Sequence, residues 1–246
     1  MNNSKIISSL ALILSTFSFG YTQEKTNNPI SFDLGADITS SYIWRGLQLD
    51  NAPNIQGWGE LSAGNFFIGA WASSNFNGNF AETDVYVGYT LGNLTATLTD
   101  YFSGSEDAFN FKKEETGHSG ELMLECSISD AFPLKLTAGT IVFGSDLKLD
   151  YIDDAEEPYF KDNNNYSTYL ELMYPFTVGA VDFEFAIGGT THESYYYSSE
   201  GAAITNINLK TSKSVKITSE FELPIAFQVV VNPELETFHS VFMISF

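Results

Sequence analysis

The sequence predicts an all-β fold, a transmembrane antiparallel up-and-down β-barrel of about twelve strands, and three observations predict it. From Ser31 onward, apolar and polar residues alternate with period two in blocks of about ten residues, a spacing that separates two faces on a strand but not on a helix. The connections between blocks alternate between tight turns and longer polar segments, as they do when one end of a barrel carries turns and the other carries loops. The chain also ends on an apolar strand-like segment, "FHSVFMISF" (Phe238–Phe246), where a frayed polar terminus would be ordinary.

Each block follows from its alternation. In "FDLGADITSSYIWR", Phe32, Leu34, Ala36, Ile38, Tyr42 and Trp44 share one face, while Asp33, Asp37, Thr39 and Arg45 share the other. Residues 53–63 oppose Ile55 and Leu61 to Gln56 and Glu60, with Trp58 on the polar side. Residues 80–91 oppose Val85, Val87 and Tyr89 to Glu82, Asp84 and Tyr86. In 118–129, Leu122, Leu124 and Cys126 oppose Glu121 and Glu125; in 133–143, Leu134 and Leu136 oppose Lys135 and Thr137. In 165–176, Leu170, Leu172 and Tyr174 oppose Glu171; in 179–191, Val181, Phe183 and Phe185 oppose Asp182 and Glu184. Fainter blocks at 66–76, 93–103, 202–216, 222–232 and 237–246 bring the total to twelve. A soluble sandwich also alternates, but its strands usually run to about five or six residues. Bilayer-crossing strands need about 9–11.

Composition agrees with this class. Only 17% of residues are charged, and 21 Phe and 13 Tyr supply the aromatic content that favours strands. The net charge of −20 argues against nucleic acid or an anionic lipid surface as a partner. Residues 1–20, with Lys5 ahead of "IISSLALILSTFSF" and small residues Ser18 and Gly20 at the end, read as a secretory signal peptide. A short periplasmic segment, 21–30, would then precede the barrel at 31–246. Cys126 is the single cysteine, so no intrachain disulfide is possible.

By strand parity the inner wall would carry Asp33, Asp37, Glu60, Glu82, Asp84, Glu121, Glu125, Glu171, Asp182 and Glu184, against Arg45, Lys135 and Lys210. Ten carboxylates outnumber the bases, which predicts either a hydrated, cation-attracting lumen or a plug of hydrogen bonds. Tyr42 and Trp44 are expected to face outward at the membrane interface, with Phe246 at the periplasmic one. The last strand would close the sheet against the first and present the signal read by the barrel assembly machinery. The acidic loop 144–164 has carboxylate oxygens of the kind calcium takes, without the regular spacing of a dedicated loop, so a solvated acidic loop is expected.

The stretches "SSYIWRG" (Ser40–Gly46), "NIQGWGELS" (Asn54–Ser62) and "ETDVYVGY" (Glu82–Tyr89) resemble the TorF-type porin family, outer-membrane barrels first described as conserved proteobacterial proteins of unknown function. These motifs lie in the first third of the chain. The resemblance implies an outer-membrane barrel and brings no catalytic or ligand-binding residues with it.

Catalytic signatures are sparse. The three histidines stand beside serines at His118-Ser119, His192-Glu193-Ser194 and His239-Ser240, but no nucleophile elbow, zinc helix or phosphate loop is present. Tyr195-Tyr196-Tyr197 is expected to form an interface girdle or to pack within its loop. The function expected is passive diffusion of small hydrophilic solutes, biased toward cations, through the outer membrane of a Gram-negative bacterium, with no cofactor and with membrane lipids and permeant cations as partners. The alternatives are a hydrolase with a rim site near His118 or His192, and a closed barrel that acts as a structural or surface-interaction protein.

Overall fold

The computed structural model describes residues 30–103, 107–112, 115–150 and 159–246. The expected signal peptide, nearly all of the segment 21–30, and residues 151–158 of the acidic loop lie outside them.

Twelve strands close into one antiparallel barrel. In chain order they are β1 (Ile30–Thr39), β4 (Asn54–Ala63), β5 (Phe66–Asn75), β6 (Ala81–Leu91), β7 (Leu94–Phe102), β8 (His118–Ser129), β9 (Phe132–Gly144), β12 (Thr168–Val178), β13 (Val181–Thr190), β14 (Ala203–Lys216), β15 (Glu222–Asn232) and β16 (Thr237–Ser245). Each pairs with its sequence neighbours in the wall, and β1 also pairs with β16. Two small hairpins stand outside the wall: β2 (Tyr42–Trp44) with β3 (Leu47–Asp50), and β10 (Leu147–Asp150) with β11 (Tyr159–Asn164). No helix among the described residues is long and apolar enough to cross a membrane.

Alternation sets the two faces. Leu34, Leu61, Ile68, Val85, Leu98, Leu122, Leu172 and Phe242 are all exposed on the outside, while Gln56, Thr97, Thr99, Glu121 and Met243 on the inside are almost inaccessible. A polar interior with an apolar exterior is the arrangement of a bilayer-spanning barrel. The tight turns gather at one end, where Gly64, Gly92 and Gly179 take positive φ; the long connections gather at the other.

Closure is made by a short seam. Asp37, Ile38 and Thr39 pair with Ser245, Ile244 and Met243. Ala36 and Phe246 exchange backbone bonds at 3.2 and 2.9 Å, so the terminal phenylalanine, 57% exposed, lies at the seam. All backbone groups of a spanning sheet must be paired, and closure removes its edges.

The structure corrects two expected elements: the segment 144–164, expected as a solvated acidic loop, carries the β10–β11 hairpin and a buried Asp146, and the first predicted strand is shorter. It stops at Thr39, not Arg45. Ser40 ends it: its N–H donates to the Phe242 carbonyl at 2.9 Å, and its Oγ accepts from the Phe242 N–H at 3.0 Å. The chain then turns inward and becomes the β2–β3 hairpin, which occupies the barrel interior.

Candidate functional site: a hairpin across the lumen

Arg45 and Gly46 form the tip of the hairpin between Trp44 and Leu47, which pair. Both have positive φ, 48° and 86°, as a two-residue hairpin turn with its strand-matched twist requires. Glycine is needed at the second position for a further reason. A β-carbon on Gly46 would stand 1.8 Å from the Thr205 carbonyl oxygen of β14. The tip is fastened there: Thr205 Oγ1 donates to the Arg45 carbonyl at 3.3 Å, and Asn232 Nδ2 to the Gly46 carbonyl at 3.3 Å.

From this tip the Arg45 side chain reaches Glu121 on β8. Counted around the ring, β8 is five strands from β1 one way and seven the other, so the hairpin rooted on β1 and the arginine at its tip together link nearly opposite walls. Nη1 and Nη2 donate to the two Glu121 carboxylate oxygens at 2.5 and 2.9 Å, the bidentate pairing that suits a planar guanidinium. Nη1 also donates to the Tyr197 hydroxyl at 2.6 Å. The guanidinium carbon lies 4.5 Å from the Trp44 ring centre and 4.6 Å from that of Tyr169, within cation–π range. Tyr101 OH donates to Glu121 Oε2 at 2.7 Å. The paired side chains are 4% and 0% exposed. Gly139 makes room, since a β-carbon there would be 2.3 Å from Glu121 Oε1.

Aromatic rings fill the space around this ion pair. Trp44 stacks on Tyr197 (5.6 Å, 11°) and meets Tyr101 and Tyr196 edge-on. Tyr42 packs on Trp71 and Phe80 and donates to Glu82 Oε1 at 3.3 Å. Trp58, anomalous on its strand's polar side, is partly buried against the same cluster. Ile43 covers Ala226, Val241 and Met243, an apolar strip of inner wall beneath the hairpin.

These positions correct the expectation for Tyr42 and Trp44. They are 3% and 8% exposed and belong to the internal aromatic cluster, not to an outer interface. Parity carries straight through Ser40 and Ser41, so only the departure of the hairpin from the wall reverses the meaning of its apolar face. Arg45 does meet the acids, but from a hairpin tip and not from β1.

A second connection holds the first in place. Tyr196 and Tyr197, between β13 and β14, point inward; of the two expectations for the tyrosine triplet, this is loop packing. Tyr197 N–H donates to Ser194 Oγ at 3.1 Å, and Ser194 Oγ lies 2.5 Å from Ser167 Oγ. Ser167 donates from its N–H and Oγ to Asp146 at 2.7 and 2.6 Å. Burial pushes the Asp146 carboxyl above its ordinary range, against the opposing pull of the Ser167 hydrogen bonds.

The remaining inner-wall candidates spread along the lumen. Asp37, Glu82 and Asp84 are buried, and Asp84 Oδ1 has no hydrogen-bond partner among the described residues. Glu60 accepts from Tyr86 OH at 3.3 Å. Glu171 accepts from Tyr169 OH at 2.6 Å and Asn206 Nδ2 at 2.9 Å. Glu184 pairs with Lys210 at 3.4 Å. Glu125 and Lys135 are half-buried, while Asp33 and Asp182 are exposed. Asp182 accepts from Thr177 Oγ1 at 2.8 Å in the last pairs before a tight turn. Of the ten carboxylates, Glu121 and Glu184 meet a base in a salt bridge.

Sequence reasoning missed Tyr101, Tyr169 and Gly139, and named Tyr197 without its bond to Arg45. Three signals pointed toward them: Trp58 out of phase, apolar residues on the inner parity of β15 and β16, and three tyrosines in one loop.

Among the described residues, neither the His118 ring nor the His192 ring contacts a serine hydroxyl. The His118 ring nitrogens contact Asp100 Oδ2 at 2.9 Å and the Ala108 carbonyl at 3.1 Å, between Phe102 and Phe111. Those of His192 contact Thr191 Oγ1 at 2.9 Å and the Asn165 carbonyl at 3.1 Å. Among the described residues no group of three or more His, Cys, Asp or Glu side chains has the placement to hold a metal.

No family model matches the chain, so the resemblance to TorF-type porins finds no support there, and no curated protein matches it either. Among solved structures, the crystal structure of the COG4313 outer membrane channel from Pseudomonas putida F1 is similar. The TM-score is 0.42 at 10% identity, over 93% of this chain and 98% of that one.

Proposed function

We propose that this protein is an outer-membrane channel for small hydrophilic solutes, biased toward cations, with the β2–β3 hairpin as the stopper that closes it. One observation carries the reading: a hairpin with a cationic tip crosses an acid-lined barrel and neutralises a carboxylate on the far wall. A barrel filled only for rigidity would do better with apolar packing, since a buried ion pair recovers little more than its desolvation cost. Inner carboxylates outnumber the inner bases, an imbalance that favours cations over anions. In this reading the apolar exterior sits in the bacterial outer membrane. The short turns and both termini face the periplasm, and β16 is the segment taken up by the barrel assembly machinery.

Planar-bilayer conductance tests the proposal, with the native chain compared against a variant in which Ser41–Asp50 is replaced by a short Gly-Ser turn. The native protein should give low or intermittent current, and the variant steady current whose reversal potential in a salt gradient shows cation preference. A sealed variant barrel would favour the closed structural reading, for which the filled upper lumen is the supporting observation.

A further inference from the structure

We propose that the surroundings of Glu121 form a binding site for a guanidinium-bearing solute, and that Arg45 is its built-in occupant, exchanged when such a solute arrives. The role of this exchange in opening rests on the channel reading; the site itself does not.

The chemistry of the cage selects one class of ligand. A carboxylate presented edge-on takes two parallel N–H donors, a phenol oxygen takes a third, and an aromatic face lies against the plane. A planar guanidinium meets all three at once, whereas a compact ammonium supplies a point charge without the fork. Arg45 shows the pose directly.

Most of the cage does not depend on the hairpin. Glu121 is held by Tyr101 OH at 2.7 Å, and the Tyr169 ring is fixed by bonds from its hydroxyl to Glu171 at 2.6 Å and with Asn206 at 3.1 Å. Gly139 leaves the space beside the carboxylate open. Of the groups around the guanidinium, Trp44 alone leaves with the hairpin. A site already organised binds without an ordering cost.

Exchange is also the route that avoids stranding a charge. If the hairpin withdrew alone, Glu121 would lose its counter-ion in an aromatic wall, which is the costly way to break a buried pair. An incoming guanidinium restores the same contacts. It competes with a residue on the same chain, whose high effective concentration makes the native protein the weaker binder and a variant lacking Arg45 the stronger.

The test uses ethylguanidinium as probe and butylammonium as the charge-matched control, in detergent-solubilised full-length protein whose folding is verified by heat-modifiable migration. All three tryptophans, Trp44, Trp58 and Trp71, lie in or against the aromatic cluster, so intrinsic fluorescence reports occupancy. Arg45→Ala should show a saturable response to ethylguanidinium at least tenfold tighter than to butylammonium, and Arg45→Ala/Glu121→Gln should lose it. If Arg45→Ala does not fold, Arg45→Gln, which keeps the side chain out to the position of Nε but lacks the guanidinium, is measured in its place. A folded variant with no saturable response, an equal response to butylammonium, or one surviving Glu121→Gln overturns the proposal. In bilayers, ethylguanidinium should raise the open fraction of the native protein. Binding by fluorescence without any current in any variant would leave the site standing and overturn the channel reading instead.

Discussion

Replacing Arg45 with alanine removes the cation from an ion pair whose side chains are 4% and 0% exposed. Taking one partner from a buried pair costs about 3–5 kcal/mol, chiefly because the other charge is left uncompensated. Two cation–π contacts, at 4.5 and 4.6 Å, add about 0.5–2 kcal/mol each when desolvated. Water reaches Glu121 once the hairpin moves, so the lower end applies to docking, about 3 kcal/mol. At 1.36 kcal/mol per decade, the open-to-closed ratio rises about a hundredfold. Single-channel recording of open probability reads this directly. A double-mutant cycle with Glu121→Gln separates the pair from the aromatic packing: the double variant should be less perturbed than the two single effects summed. Unchanged open probability in Arg45→Ala, or strict additivity in the cycle, would refute the claim that this ion pair holds the hairpin shut.

Gly46→Ala should unseat the tip while the wall stays intact, because the new carbon meets the Thr205 carbonyl at 1.8 Å and the backbone there has φ 86°. Current should increase, and the thermal transition of the barrel should move by no more than a few degrees. Gly139→Ala puts a carbon 2.3 Å from Glu121 Oε1; rotation of the carboxylate should open the channel by about tenfold, a loss of about 1.4 kcal/mol, measured as open probability. For Asp146, a carboxyl raised by burial binds its proton more readily in the fold than in the unfolded chain. Its contribution to stability is therefore greatest at low pH and is lost as pH rises through the raised value. Hydrogen exchange at Ser194 and Tyr197 should be slower near pH 4 than pH 7 after correction for intrinsic rates, and Asp146→Asn should flatten that difference.

The wall of the barrel was legible because alternation is a local signal. Eleven of the predicted blocks coincide with strands to within a few residues, from 53–63 against Asn54–Ala63 to 222–232 against Glu222–Asn232. The β2–β3 hairpin was not legible for the same reason. Tyr42, Ile43 and Trp44 keep the period of a strand because they form one. Whether their ring face meets lipid or the opposite wall depends on contacts with Trp71, Tyr101 and Tyr197, which are distant in sequence. Parity could place Arg45 and Glu121 in the lumen, but not show that one would grip the other. That needed the turn at Arg45-Gly46 to be recognised as a hairpin tip, and the dipeptide lacks the Asn-Gly or Asp-Gly signature of such turns.

The hairpin leaves the wall at Ser40, and Ser40 is tied to Phe242 in the final strand. The β16 strand is thus the doorpost on which the first hairpin hangs. The other end of the hairpin rests on β4, where Asn54 Nδ2 donates to Asp50 Oδ2 at 2.8 Å and to the Ala52 carbonyl at 2.7 Å. The seam that closes the cylinder therefore also carries one end of the cork. A polypeptide cut short before Phe238 would lose this post of the hairpin together with its seam.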